Sequence, residues 1–333
     1  MDRVMKQFEN IIFEALAIDD SASTSASLAS IAKGYKVSDI YLKNALVSLA
    51  SIKQHNHDVC VALVVNVELA EYWKRRFEQF GITLFYCPYD TFVVPKHIVY
   101  SLSYYKLCAF DYLVKKTDYK RYCFVDCDTF SINSYRPLWI ECDSAINIIP
   151  NESSITSKKR VEINKIHKEI SNGDRFITHY CSGFIAGTKS DLVDLLELCR
   201  QKYKKLFVDD SVSTEIGDEI IWSLALADYD GRIHSPKAYC LLSFITATNY
   251  WIDKEHWDDE NVFMWHLPGD KRYSLIWAYD YLMNEGSLPS KKKMASASRF
   301  RHVKTIFSLL AIRAILKDGS AIKRNIGKLF KRN

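Results

Sequence analysis

Apolar residues recur along this chain in two rhythms. Val59 to Val65 (VCVALVV) is almost continuously β-branched and apolar, as in a strand covered on both faces by crossover helices. In IYLKNALVSLASI, by contrast, Leu42, Ala45, Leu46, Leu49 and Ile52 recur at helical spacing, with Ser38-Asp39 offering an N-cap. The rhythms repeat downstream as helix ELAEYWKRRFEQF closed by Gly81, strand ITLFYC, helix SLSYYKLCAFDYLVKK and strand RYCFVD. Upstream, MDRVMKQFENIIFEALAIDDS reads as a short amphipathic helix, and SLASIAKG, after the Ser/Ala-rich stretch 21–27, as the first strand. Such alternation predicts an α/β fold with a parallel, Rossmann-like sheet flanked by helices.

Further along, SAINII (144–149) and SGFIAG (182–187) read as strands, and the polar residues 150–178 between them as a mobile or inserted region over the site. Ser190 caps a predicted helix DLVDLLELCRQKYKKLF, and Gly217-Asp218-Glu219 opens another, IIWSLALADY. Residues 231–285 are aromatic-rich and less regular, and no internal repeat is evident.

With 333 residues, 48% of them hydrophobic, the chain can bury the core of one large domain with appendages or of two modest ones. No run of 18 apolar residues suggests a membrane-spanning helix, and the N-terminus lacks a secretory apolar region. Nine scattered cysteines, including Cys60, Cys108 and Cys123, suit a reducing cytosol, and Cys123 and Cys127 read as strand residues, not a metal pair. Charge divides unevenly: residues 291–333 hold 13 Lys/Arg against Asp318 alone, so this net +12 leaves the rest of a +5 chain at −7.

The predicted strand RYCFV ends on Asp126-Cys127-Asp128, at the carboxyl edge where open α/β sheets bind ligands. No G-x-G-x-x-G turn accompanies the first strand. Three readings compete: turn aspartates at a strand end; the D-x-D-x-T nucleophile motif of haloacid-dehalogenase-type phosphatases; or a D-x-D pair that directs two carboxylates at one hard divalent cation. The threonine stands one position early for the phosphatase motif, with Phe130 in its place, and Gly217-Asp218 does not complete the later G-D-x-x-x-D.

Four segments, YYKLCAFDYLVKKTDYKRYCFVDCDTFSI, HYCSGFIAG, GDEIIWSLAL and WHLPGDKRY, in this order resemble those of GT-A-fold glycosyltransferases, most closely family eight, which includes glycogenin and the lipopolysaccharide galactosyl- and glucosyltransferases. YYKLCAFDYLVKKTDYKRYCFVDCDTFSI is similar to the family's basic helix and D-x-D strand, which makes Lys106 the donor-contacting cation. HYCSGFIAG resembles the N-A-G strand, with Cys181 in place of Asn and Ser182 and Gly183 facing the donor sugar. GDEIIWSLAL resembles the D-Q-D-x-x-N helix start and nominates Asp218 and Glu219 beside the reacting sugar. WHLPGDKRY resembles H-x-x-G-x-x-K-P-W. It nominates His266 as third metal ligand and Gly269 as the close approach to the diphosphate. The phosphate cation is Arg272 by strict spacing or Lys271 one residue early, with Tyr273 and Ser274 where Pro-Trp usually stands.

The resemblance implies a GT-A mixed, mostly parallel sheet, Mn²⁺ (or Mg²⁺) on Asp126, Asp128 and His266, a UDP-sugar donor, and a base stacked on Tyr35 after the first strand. It also implies retained anomeric configuration. From the residues alone, Asp218 or Glu219 serves equally as the base of an inverting reaction.

Beyond a catalytic domain over 1–285, the segment 286–333 interleaves Phe307, Leu309, Leu310, Ile312, Ile315 and Leu316 with Arg299, Arg301, Lys304, Arg313 and Lys317. A basic amphipathic helical tail of this kind suits an anionic inner membrane surface and a lipid-linked acceptor better than nucleic acid. The expectation is a cytoplasmic, membrane-peripheral glycosyltransferase of bacterial surface polysaccharide or lipopolysaccharide synthesis. The acceptor is expected to meet residues 150–180 and the aromatics around Tyr250 and Trp251. A catalytically inactive glycan- or membrane-binding GT-A module is the alternative, and the phosphatase a third.

Overall fold

A computed structural model describes residues 8–19, 37–96, 98, 100–151, 154–171, 175–209, 216–236, 240–241 and 260–298. Its main sheet is formed by β1 (Asn10–Leu16), β2 (Cys60–Val65), β3 (Thr83–Tyr86), β4 (Arg121–Val125), β6 (Ile146–Pro150), β7 (Tyr180–Thr188) and β8 (Ile233–His234). Their order is β3-β2-β1-β4-β7-β6-β8. All run parallel except β7, which is antiparallel to both β4 and β6. A small second sheet joins β5 (Thr129–Ser131), β10 (Met264–His266) and β9 (Cys240–Leu241) in the order β5-β10-β9.

Helices cover both faces, which explains the unbroken apolar strands. On β2, Val61, Leu63 and Val65 enter one core with α1 (Val37–His55), α2 (Glu71–Gln79), α4 (Arg136–Cys142), α8 (Ser274–Glu285) and α9 (Lys291–Ala297). Cys60, Ala62 and Val64 point to the opposite core, built with α3 (Tyr105–Lys116), α5 (Lys158–Ser171), α6 (Lys189–Tyr203) and α7 (Glu219–Ala227). Burying both faces of a strand removes the polar positions that an alternating pattern would otherwise show.

Several expectations change. The stretch read as an N-terminal amphipathic helix contains the central strand β1, packed between β2 and β4. Its acids misled the reading, because Glu14 is fully buried where an apolar residue is the norm. The first strand of the sheet therefore ends at Leu16. The candidate strand SLASIAKG and Tyr35 lie outside the described residues, as do Tyr250, Trp251 and the tail beyond Ser298. Helix α1 already begins at Val37, placing Ser38 and Asp39 inside its first turn. The cap of α6 is Thr188, whose hydroxyl accepts from the Asp191 N–H, not Ser190. The polar region 150–178 contains a regular helix, α5, anchored by Ile163 and Ile166. Among the described residues the cysteines form no disulfide, and no helix is long and apolar enough to cross a membrane.

Candidate active site

Strand β4 stops at Val125, and the chain crosses to β5 through Asp126-Cys127-Asp128. Two backbone hydrogen bonds fix this crossing. The Asp126 N–H donates to the Gly183 carbonyl of β7 at 3.0 Å, and the Leu267 N–H donates to the Asp128 carbonyl at 2.8 Å. Because β10 pairs with β5, with His266 opposite Thr129, the His266 ring comes to the same edge. One ligand atom from each of Asp126, Asp128 and His266 lies within 4.8 Å of the other two.

Cations surround these carboxylates. Lys106 Nζ, on α3, lies 2.9 Å from Asp126 Oδ1 and 3.8 Å from Asp218 Oδ2, and donates to Ser182 Oγ at 3.3 Å. On the other side Lys271 Nζ meets Asp128 Oδ2 at 2.5 Å, and His266 Nε2 lies 3.4 Å from Asp128 Oδ1. Lys271, not the strict-spacing position Arg272, thus makes this contact. The 3₁₀ turn Pro268–Asp270, which holds Gly269 half-buried, tightens the loop so that the earlier cation reaches inward.

Charge and burial oppose one another throughout the cluster. Burial raises a carboxyl's pKa, but Lys271 and His266 outweigh it and hold Asp128 well below the ordinary carboxylate range. Burial lowers that of His266, yet the charge of Asp128 and its hydrogen bond keep the imidazole above its usual value. For Lys106, burial is likewise outweighed by Asp126 and Asp218, and the ammonium is held above its ordinary range.

Asp218 and Glu219, at the start of α7, complete the site from the far side. The Asp218 N–H donates to Ser103 Oγ at 3.3 Å, while its buried Oδ2, 3.8 Å from Lys106 Nζ, has no hydrogen-bond partner among the described residues. Burial raises the Asp218 pKa, with Lys106 acting in the opposite direction. Glu219 has two partners that the sequence did not single out: His179 Nε2 at 3.0 Å and Lys159 Nζ at 3.3 Å, both at Oε2. His179 stood in the quoted stretch HYCSGFIAG, but no spacing pattern ties it to Glu219.

The donor set fits a divalent cation. Two carboxylates and an imidazole, with Asp128 and His266 buried and Asp126 half-buried, bring their ligand atoms within 4.8 Å of one another, and oxygen-rich surroundings of this kind suit Mn²⁺ or Mg²⁺, where softer ions favour thiolates.

No family model matches the sequence and no curated protein matches it. Solved structures do match the fold. The galactosyltransferase LgtC, solved with donor and acceptor sugar analogues, aligns at TM-score 0.51 and 15% identity over 84% of this chain and 96% of its own. The chain has the GT-A fold. A second GT-A neighbour, the bifunctional glycosyltransferase WbbM, aligns at TM-score 0.51 and 12% identity, over 90% of this chain and 53% of its own. In this GT-A domain Asp126, Asp128 and His266 stand at the carboxyl edge of the sheet, where the order passes from the parallel β4 to the antiparallel β7.

Proposed function

We propose that this chain is a divalent-metal-dependent glycosyltransferase, resembling family eight, that moves a hexosyl group from a UDP-sugar to a glycan or lipid-linked acceptor. The observation that carries this reading is the convergence of Asp126, Asp128 and His266 on one point at the strand edge of a GT-A sheet. A cation held there would offset charge developing on the departing nucleoside diphosphate. Lys271 is the cation placed to meet the diphosphate, with Gly269 allowing close approach and Arg272 behind it. Lys106 and Ser182 face the donor sugar together, linked at 3.3 Å, with Gly183 adjoining them.

Asp218 is the better candidate for a group that exchanges a proton, because among the described residues its Oδ2 has no hydrogen-bond partner, and burial raises its pKa. Glu219, held by His179 and Lys159, serves as a fixed negative charge beside the reacting sugar. In a retaining reaction the same pair positions the sugar and stabilises oxocarbenium-like charge.

The similarity to LgtC and WbbM supports the transferase class. A role in bacterial surface polysaccharide or lipopolysaccharide synthesis accords with it, as does a basic segment 286–333 resting on the anionic inner face of the plasma membrane. Tyr35 remains the proposed partner of the base. The test is UDP release from a panel of UDP-sugars, with Mn²⁺ and with EDTA, for wild type and Asp128→Ala. Metal-dependent turnover of one sugar, lost in the variant, is expected. Silence across the panel, with no UDP binding by calorimetry, would leave a glycan- or membrane-binding GT-A module instead.

A further inference from the structure

We infer that Lys271 guards the metal site, occupying Asp128 until a diphosphate draws it away, so that divalent cation and nucleotide bind this chain as a coupled pair. The inference rests on the metal-dependent reading above and adds an exchange of partners within that site.

The two D-x-D carboxylates are each already matched by a lysine: Asp126 by Lys106 at 2.9 Å and Asp128 by Lys271 at 2.5 Å. With His266 3.4 Å from Asp128 and 3.9 Å from Asp126, a divalent ion entering alone meets carboxylates whose charge is largely offset. It also meets like-charge repulsion from two ammoniums in buried surroundings, where Coulomb terms are screened far less than in water.

The two lysines are not equivalent. Lys106 can release Asp126 and remain compensated, because Asp218 lies 3.8 Å away and Ser182 Oγ 3.3 Å away. Among the described residues Asp128 is the charged partner that acts most strongly on Lys271, ahead of the Tyr41 hydroxyl and the Cys127 thiol. Once a cation takes Asp128, Lys271 needs another anion, and it sits on the loop beside Gly269 where a diphosphate would lie. A diphosphate supplies the missing negative charge and a new partner for Lys271 in one event. Coupling of this kind is reciprocal: each ligand tightens the other by the same factor, commonly about 5- to 150-fold.

The experiment is titration of Mn²⁺, read from the electron paramagnetic resonance signal of the free ion, on full-length wild type and Lys271→Gln, without nucleotide and with saturating UDP. Because UDP itself chelates Mn²⁺, the decisive comparison is the nucleotide-free arm. There Lys271→Gln should bind Mn²⁺ about 10-fold more tightly than wild type, and the gain on adding UDP should shrink accordingly. Lys271→Met, which keeps an unbranched apolar stem, should behave alike and replaces the Gln variant if that does not fold. Nucleotide-free affinity unchanged or weakened in the variants overturns the inference while leaving the metal site intact. Absence of Mn²⁺ binding to wild type even with UDP overturns the metal reading and the inference with it.

Discussion

His179 Nε2 lies 3.0 Å from Glu219 Oε2, and Lys159 Nζ approaches the same oxygen at 3.3 Å, tying the approach to β7 and the first turn of α5 to the head of α7. Burial alone would raise the Glu219 pKa, but the His179 hydrogen bond and the Lys159 charge prevail and bring it from 4.5 to about 2. A carboxyl whose folded pKa is depressed contributes stability above its unfolded pKa and loses it as pH falls through the folded one. The full shift corresponds to about 3 kcal/mol. Glu219→Gln should therefore destabilise by up to about that amount at pH 7, and the deficit should shrink between pH 4.5 and about 2. Urea unfolding of both proteins at pH 7, 4 and 3 reads this directly. A deficit that stays constant with pH would assign the contact to packing instead of charge.

Asp218, one residue earlier, is held the opposite way, and its variant should separate chemistry from binding. Asp218→Asn preserves size and the backbone contact to Ser103 while removing the proton acceptor. We expect kcat to fall by roughly 100-fold or more, with UDP affinity by calorimetry within a few-fold of wild type. A variant that turns over normally would move the catalytic role elsewhere.

Gly217 precedes this pair in a confined place. A Cβ added there would lie 3.1 Å from Ser103 Oγ and 3.4 Å from Tyr100 Cβ, so a methyl displaces the hydroxyl that holds the Asp218 N–H. Gly217→Ala should cost about 1 kcal/mol of stability from overpacking and lower kcat more than it alters KM. Kinetics paired with thermal unfolding separates the two effects. Unchanged kcat would show that α7 absorbs the shift without moving Asp218.

The D-x-D aspartates predict a different pattern. Asp128→Ala leaves Lys271 and His266 facing each other without their shared carboxylate. Removing one partner of a buried ion pair commonly costs about 3–5 kcal/mol, so the variant should melt well below wild type as well as lose activity. Asp126→Asn leaves Asp128 in place and should raise the Mn²⁺ concentration needed for turnover. Were Asp126 a phosphatase nucleophile, no metal concentration would restore activity.

These contrasts follow what the sequence could and could not carry. Strand β4 and its terminal aspartates were legible because an apolar run ending on alternate carboxylates is a local pattern, and His266-x-x-Gly269 is another. The choice of Lys271 over Arg272 was not legible, since it depends on the 3₁₀ turn at Pro268–Asp270. His179 and Lys159 lie 40 and 60 residues from Glu219, and only the packing of α5 and β7 against α7 brings them together. Strand β1 was misread as helix because a fully buried glutamate breaks the partition rule on which periodicity rests.

That glutamate supplies the last prediction, with a pH slope opposite to that of Glu219. Glu14 lies in β1, fully buried, and among the described residues no basic side chain pairs with its carboxylate. Burial pushes its pKa well above 4.5, and Asp126 and Asp128 push the same way, while the Ser48 hydroxyl acts against them. A carboxyl whose folded pKa is raised gives its full stability below its unfolded pKa and loses it as pH rises toward the folded one. Glu14→Gln keeps the shape and removes the proton uptake that folding requires near neutral pH. The variant should match wild type below pH 4.5 and become the more stable of the two as pH climbs to 8, by about 1–3 kcal/mol. Denaturant midpoints across that range give the slope. If the variant is instead destabilised at pH 8, the Glu14 carboxylate is ionised and held by a partner, and the buried end of β1 belongs to the charged site.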